Sequence, residues 1–253
     1  MQVYLDYGAG KPVDPRIIDV MNKGHTEIYG NPASFHNKGF EALNILNESR
    51  ATVARLINAE PEEIIFTSGA TEANNLALKG AANRYRKKGN KIVISAVEHI
   101  SVINITKTLT REGFNIETCP VNEYGVIKLK ELEKLVDADT VLVSVMTANG
   151  EIGTIQPIKE IAEITHSHDA IFHTDATAAI GQIKLDAKDL KADLMTLSSN
   201  DIYGPKGVGA LYIRKGIRLT PHMIGGGQEN GLRSGTENIP GIMGLAKAVE
   251  IAL

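Results

Sequence analysis

The first stretch of this chain whose residue types could do chemistry is Ser68-Gly69-Ala70-Thr71-Glu72. It follows the apolar run Ile64-Ile65-Phe66 and precedes a helical pattern carrying Leu76, Ala77 and Leu78. Small and hydroxyl-bearing residues at a helix start offer backbone N–H groups and the positive end of the helix dipole to an anion, phosphate above all. The same residues also serve as ordinary helix caps. Phe172-His173-Thr174-Asp175-Ala176 places a carboxylate at the end of an apolar strand, where open α/β sheets hold their ligands. Such a carboxylate can pair with a protonated heterocyclic nitrogen. His99, after the strand-like Ile92-Val93-Ile94, could stack on a flat ring or be a structural histidine. Each of the three has a structural alternative taken singly; their order along one chain favours a site.

Two other candidates are weaker. Cys119 is the single cysteine, so no intrachain disulfide or thiolate metal cage is available. Its setting, Asn115-Ile116-Glu117-Thr118-Cys119-Pro120, alternates like a strand ending at a proline, and a buried structural thiol is expected. His166 and His168, two residues apart, point to different sides of a helix, which predicts a solvated helix end and no metal pair.

The elements that must position these residues alternate. Short β-rich runs at Ile64 to Thr67, Ile92 to Ser95, Asn115 to Cys119, Val141 to Met146, Ile171 to Thr174 and Asp193 to Ser198 are separated by helical patterns. That rhythm predicts an α/β fold with a largely parallel sheet. Phe40, Leu43, Leu46, Val53 and Ile57 keep one apolar face on a helix from about His36 to Asn58. Pro157 suits a first helical position, with Ile158, Ile161, Ala162 and Ile164 sharing a face behind it. Gly204-Pro205-Lys206-Gly207-Val208-Gly209 breaks any helix before a strand at Ala210 to Ile213. From Ile239 the pattern turns helical again, and a chain stopping at Leu253 in mid-helix reads as part of a longer protein.

Composition bounds the rest. The 253 residues, 43% hydrophobic and 23% charged with a net charge of -3, are typical of one large globular domain. Neither a nucleic-acid partner nor a membrane is called for: no apolar run reaches about 18 residues, and the start carries no signal-peptide pattern. A cytoplasmic protein is expected.

Taken in order, the motifs resemble those of the NifS/IscS-type cysteine desulfurases, within the class V aminotransferases of the fold-type I pyridoxal-phosphate (PLP) enzymes. The resemblance is carried by Gly30-Asn31-Pro32-Ala33-Ser34, SGATEANN at Ser68 to Asn75, SAVEH at Ser95 to His99 and GEIGTIQP at Gly150 to Pro157. It continues through HTDA at His173 to Ala176, YGPKGVGALYIRKG at Tyr203 to Gly216, and GGGQENGLRSGTEN at Gly225 to Asn238. It implies a three-layer α/β/α large domain over residues 1–253, with a mostly parallel seven-stranded sheet whose antiparallel strand is Gly209 to Ile213. The family's small C-terminal domain lies outside this chain. It also implies PLP as cofactor: Thr71 and the backbone around Ala70 on the phosphate, Ser198 beside them, His99 on the ring face and Asp175 on the ring nitrogen. Thr236 would reach the phosphate of a partner subunit, which implies a homodimer. The implied reaction converts L-cysteine to L-alanine, passing sulfur to an iron-sulfur scaffold protein.

The chain departs from that pattern at its reactive centre. Where the family has Ser-x-His-Lys, this chain has Ser198-Ser199-Asn200-Asp201. The missing lysine is the amine that bonds the cofactor and moves protons. Asp201 cannot form that bond, although it could still relay protons; losing a placed acid-base group costs roughly 10²- to 10⁴-fold in rate. By the resemblance, Gly150 (for asparagine), Ala178 (for glutamine) and Gly10-Lys11 (for two threonines) belong to the same pocket. Lys206 has a structural place in the family motif, and Lys11 reads as a solvent-facing charge. Activity is therefore expected to be impaired. The alternatives are a non-catalytic dimeric scaffold for a cluster-assembly protein, or a selenocysteine lyase-like enzyme.

Overall fold

The computed structural model describes residues 1–253. Seven strands form one sheet: β1 (Ile64–Thr67), β2 (Lys91–Ser95), β3 (Asn115–Cys119), β4 (Thr140–Ser144), β5 (Ile171–Asp175), β6 (Leu194–Ser198) and β7 (Gly209–Ile213). Their order is β1-β7-β6-β5-β4-β2-β3. Only β7 runs against its neighbours, pairing antiparallel with β1 and β6, while the remaining pairs are parallel. The antiparallel strand is the one the resemblance singles out.

Strands β1 and β4 to β7 are buried at every residue, as a parallel sheet covered on both faces requires. Because side chains alternate across a strand, β1 sends Ile64 and Phe66 to one layer and Ile65 to the other. The first layer holds α1 (Pro15–Thr26), α2 (Asn37–Leu56) and α7 (Ile239–Ala252). The opposite face carries α3 (Ala70–Tyr85) and α4 (Ile100–Arg111). Helices α5 (Leu129–Leu135) and α6 (Ile158–His166) close the first side near β2 and β4 around Val93, Val143 and Phe172. No helix is long and apolar enough to cross a membrane.

The strands expected at Ile64 to Thr67 and Asn115 to Cys119 are found residue for residue. The one expected to reach Met146 ends at Ser144, because the Met146 N–H turns away to the Glu98 carboxyl at 2.7 Å. Helix α2 begins one residue after His36, whose Nδ1 caps it by accepting from the Gly39 N–H at 3.2 Å. Pro157 sits one place earlier than expected, at the cap of α6. The expectation of a solvated histidine end is corrected at His166: its Nε2 lies 2.9 Å from Asp193 Oδ2, a buried carboxylate that also accepts from the Phe172 N–H and from Arg214. Cys119 is buried as expected.

Candidate active site

The carboxyl ends of β1, β2, β4, β5 and β6 open into one cavity of about 730 Å³. Its wall contains Ala70, Thr71, His99, Asp175, Ser198 and Asp201, so six of the seven residues singled out from the sequence are brought together. The seventh, Thr236, is exposed beside a separate depression with His25, Tyr29 and Asn31.

Gly69 governs the end of the cavity at the start of α3. It precedes α3 with φ 146° and ψ -180°, a conformation open in practice to glycine alone. A Cβ on Gly209 would lie 2.8 Å from the Gly69 Cα, so a second glycine lets this turn rest against β7. No side chain caps α3, which sets aside the capping alternative for Ser68 and Thr71 and leaves the helix start facing the cavity. Glu72, in the first turn and in the cavity wall, is already engaged, accepting from the Ser68 N–H at 2.8 Å and from Arg233 Nε at 2.9 Å. Burial would raise its pKa, but these bonds outweigh it and hold the carboxyl below its ordinary value.

Asp175 forms the floor at the end of β5 and is 4% exposed. Its Oδ1 accepts from the Thr177 N–H at 2.9 Å and its Oδ2 from Asn74 Nδ2 at 2.8 Å. Asn74, fully buried on α3, sends its other amide hydrogen to Ser101 Oγ at 3.0 Å. The Ser101 hydroxyl lies 2.8 Å from His99 Nδ1. That nitrogen also receives the Ser101 backbone N–H at 3.2 Å, so it is an acceptor and the hydroxyl donates to it. The carboxylate and the histidine are thus joined through two residues that the sequence did not single out.

Glu98 is a further group missed, 6% exposed in the cavity wall. Its Oε1 accepts from the Met146 N–H while Oε2 has no partner. Burial, against the Met146 bond and aided by the charge of Asp175, pushes this carboxyl well above its usual range. Asn74 Oδ1, Glu98 Oε2 and Thr177 Oγ1 are all buried polar atoms without partners, gathered around Asp175.

Asp201 lies in a short 3₁₀ turn, Asn200–Ile202, after β6. Ser198 Oγ donates to Asn200 Oδ1 at 2.7 Å, and Asn200 Nδ2 to Asp201 Oδ2 at 3.1 Å. Burial raises its proton affinity and Asp175 adds to this, whereas the Ser198 hydroxyl and the Lys11 charge oppose it. Lys11 is not the solvent-facing charge expected: its Nζ donates to the Asp201 backbone carbonyl at 2.6 Å and lies 5.2 Å from the Tyr203 ring centroid. Lys206 Nζ donates to the Lys11 carbonyl at 3.1 Å. Neither amine lines the cavity, and no other lysine or arginine does. Gly150 and Ala178 do line it, and a Cβ on Gly150 would sit 3.5 Å from the Ala178 Cβ. Gly10 and Lys11, expected there too, stand behind the wall that Gly8 and Ala9 form.

The loop carrying Thr236 is tied to this architecture. Glu229 accepts from Arg50 Nη1 and Nη2 at 2.8 and 2.6 Å and from the Phe66 N–H at 2.7 Å, while Arg233 holds Glu72. A mostly parallel sheet, an uncapped helix start, a strand-end carboxylate and a histidine in the same wall place this cavity at the carboxyl ends of the strands, where open α/β sheets hold their ligands. Residues 3–252 match the family described as aminotransferase class V, and the chain belongs to that family. It is 53% identical to "Cysteine desulfurase IscS 1" of Archaeoglobus fulgidus over 248 residues, 98% of this chain and 65% of that protein. Among solved structures it is similar to a "NifS-like protein", with a TM-score of 0.97 and 45% identity over 100% of this chain and 70% of that one. "SspA in complex with cysteine" follows with a TM-score of 0.94 and 37% identity over 98% and 72%. The chain spans about half to two thirds of the length of the curated relatives it matches.

Proposed function

We propose that this chain is the cofactor-holding large domain of a cysteine desulfurase homologue serving iron-sulfur cluster assembly, with its L-cysteine to L-alanine reaction impaired. The observation that carries this reading is the joining of an uncapped helix start, Asp175 and His99 around one cavity whose wall contains no amine.

The residues present fit PLP as a non-covalent guest. The α3 start and Thr71 would take the phosphate, the joined Asn74, Ser101 and His99 would fix the ring face, and Asp175 would hold the ring nitrogen, within reach of the unpartnered atoms around it. When bound, the cofactor supplies an electron sink. The protein's part is to orient that ring, exclude water and place Asp201 as the remaining proton carrier at the reactive side. Thr236, exposed and remote from this chain's own cavity, suits a reach into a partner subunit, so the working form is a homodimer.

The test adds PLP and L-cysteine to the purified protein and measures alanine and sulfide against free PLP. Turnover above that background that Asp175→Ala abolishes supports the reading; turnover equal to it refutes the enzymatic part. The amine-free wall also favours a second reading, a dimeric partner that binds a cluster-assembly protein without turnover. A pull-down with an iron-sulfur scaffold protein, positive while turnover is absent, would support it.

A further inference from the structure

The wall of the cavity is one-sided in charge. Five of its residues are acids, Glu72, Glu98, Glu151, Asp175 and Asp201, and none is a lysine or arginine. Not all of them are open to a ligand. Glu72 is paired with Arg233, Glu151 is exposed to solvent, and burial pushes the proton affinity of Glu98 well above that of an ordinary carboxyl. Asp175 and Asp201 remain facing the cavity, near enough that the charge of Asp175 raises the proton affinity of Asp201. Both are set by hydrogen bonds, Asp175 through Asn74 and Thr177, Asp201 through Asn200. At the other end the uncapped start of α3 calls for an anion. The complementary guest has one phosphate and two cationic centres, not one.

We infer that the cavity selects the aminated form of the cofactor, pyridoxamine 5'-phosphate, with its ring nitrogen on Asp175 and its primary ammonium on Asp201. This rests on the cofactor site of the function proposed above and accounts for its impairment, because the aminated form cannot condense with the amine of L-cysteine. The aldehyde form has a single cationic centre and, with no amine in this wall, no covalent hold. It would leave Asp201 desolvated beside Asp175 without a counter-charge, an arrangement that costs free energy unless a proton is taken up. An ammonium removes that cost by pairing with the carboxylate. Gly150 and Ala178, facing each other without long side chains, leave room for the added substituent.

Titration calorimetry of the whole protein with pyridoxamine 5'-phosphate and pyridoxine 5'-phosphate tests this. The second probe carries an uncharged hydroxyl at the same carbon and forms no imine with surface lysines. A charge-assisted hydrogen bond corresponds to a preference for the amine of about tenfold or more. Asp201→Asn, similar in shape, should reduce that preference to within about twofold, because it removes both the attraction for the ammonium and the unpaired charge that the uncharged hydroxyl leaves. Asp201→Ser is the second variant, with the same expected outcome, and circular dichroism verifies that each is folded. Equal affinities in the parent, or a preference that survives both substitutions, would overturn the inference while leaving the cofactor site standing. Failure of both probes to bind would overturn the inference and the proposed function together.

Discussion

Asn74→Asp is the sharpest probe of how this site is held. The substitution keeps the shape of the side chain, so no cavity opens, but it exchanges the donor 2.8 Å from Asp175 Oδ2 and 3.0 Å from Ser101 Oγ for an acceptor. The variant loses one hydrogen bond to a charged group, about 1.5–3 kcal/mol, and one between neutral groups, about 0.5–1.5 kcal/mol. The expected cost at pH 8 is therefore about 2–4 kcal/mol. Two carboxyl groups this close cannot both ionise, and the folded variant binds one shared proton more tightly than the unfolded chain does. The sign follows: the variant's deficit is small at low pH, where the pair keeps its proton, and grows as pH rises through the pair's titration. Urea unfolding followed by far-ultraviolet circular dichroism, suited to a chain with no tryptophan, would measure it at pH 5 and pH 8. A cost below about 1 kcal/mol at pH 8, or one independent of pH, would refute the proposed geometry of Asn74.

Glu229→Ala should destabilise the protein by about 3–5 kcal/mol in the same assay, because it strands the guanidinium of Arg50 in a largely buried site. In the Arg50→Met/Glu229→Leu pair only part of that loss should return, because the Phe66 N–H stays unpaired, and a double variant as unstable as the single one would contradict this. Cys119, whose thiol burial and Glu131 push up to about 11, should be unreactive in the folded state. At pH 8 about one thiol in a thousand is ionised, so modification by a disulfide reagent should wait for unfolding. A native reaction rate near that of a free thiol would show the burial to be wrong.

The fold was legible where the code is local. Strands such as Ile64–Thr67 are short β-branched or apolar runs bounded by turn residues, and their type and limits follow from that pattern. The order of the sheet was not readable from periodicity; the resemblance supplied only the number of strands and the antiparallel one, and the order emerges from the structure. At the site, Asp175, His99 and the turn at Ser68 to Glu72 stood out because each ends or follows a strand, the place where backbone geometry exposes side chains to a ligand. Asn74 and Ser101 did not. Asn74 sits among Ala73, Leu76 and Ala77 on a helix, and a polar residue there declares its role only when its partners arrive from β5 and the start of α4. Glu98 was inside a quoted motif, yet its meaning depends on burial and on the Met146 N–H, which lies on another loop. Lys11 was misjudged because its partner, the Asp201 carbonyl, is 190 residues away in the chain.

The hydrogen bonds around His99 run in one direction only. With Nδ1 committed to two donors from Ser101, the ring's hydrogen is on Nε2. The edge it turns outward is therefore a giver. A guest with a lone pair at that edge is steadied, while one arriving with a proton to shed finds no vacancy until the imidazole releases its own hydrogen or breaks from Ser101. In a cavity without an amine, the neutral ring offers a guest a hydrogen bond and no proton of its own, so under the function proposed here a proton shed at the reactive side is left to Asp201.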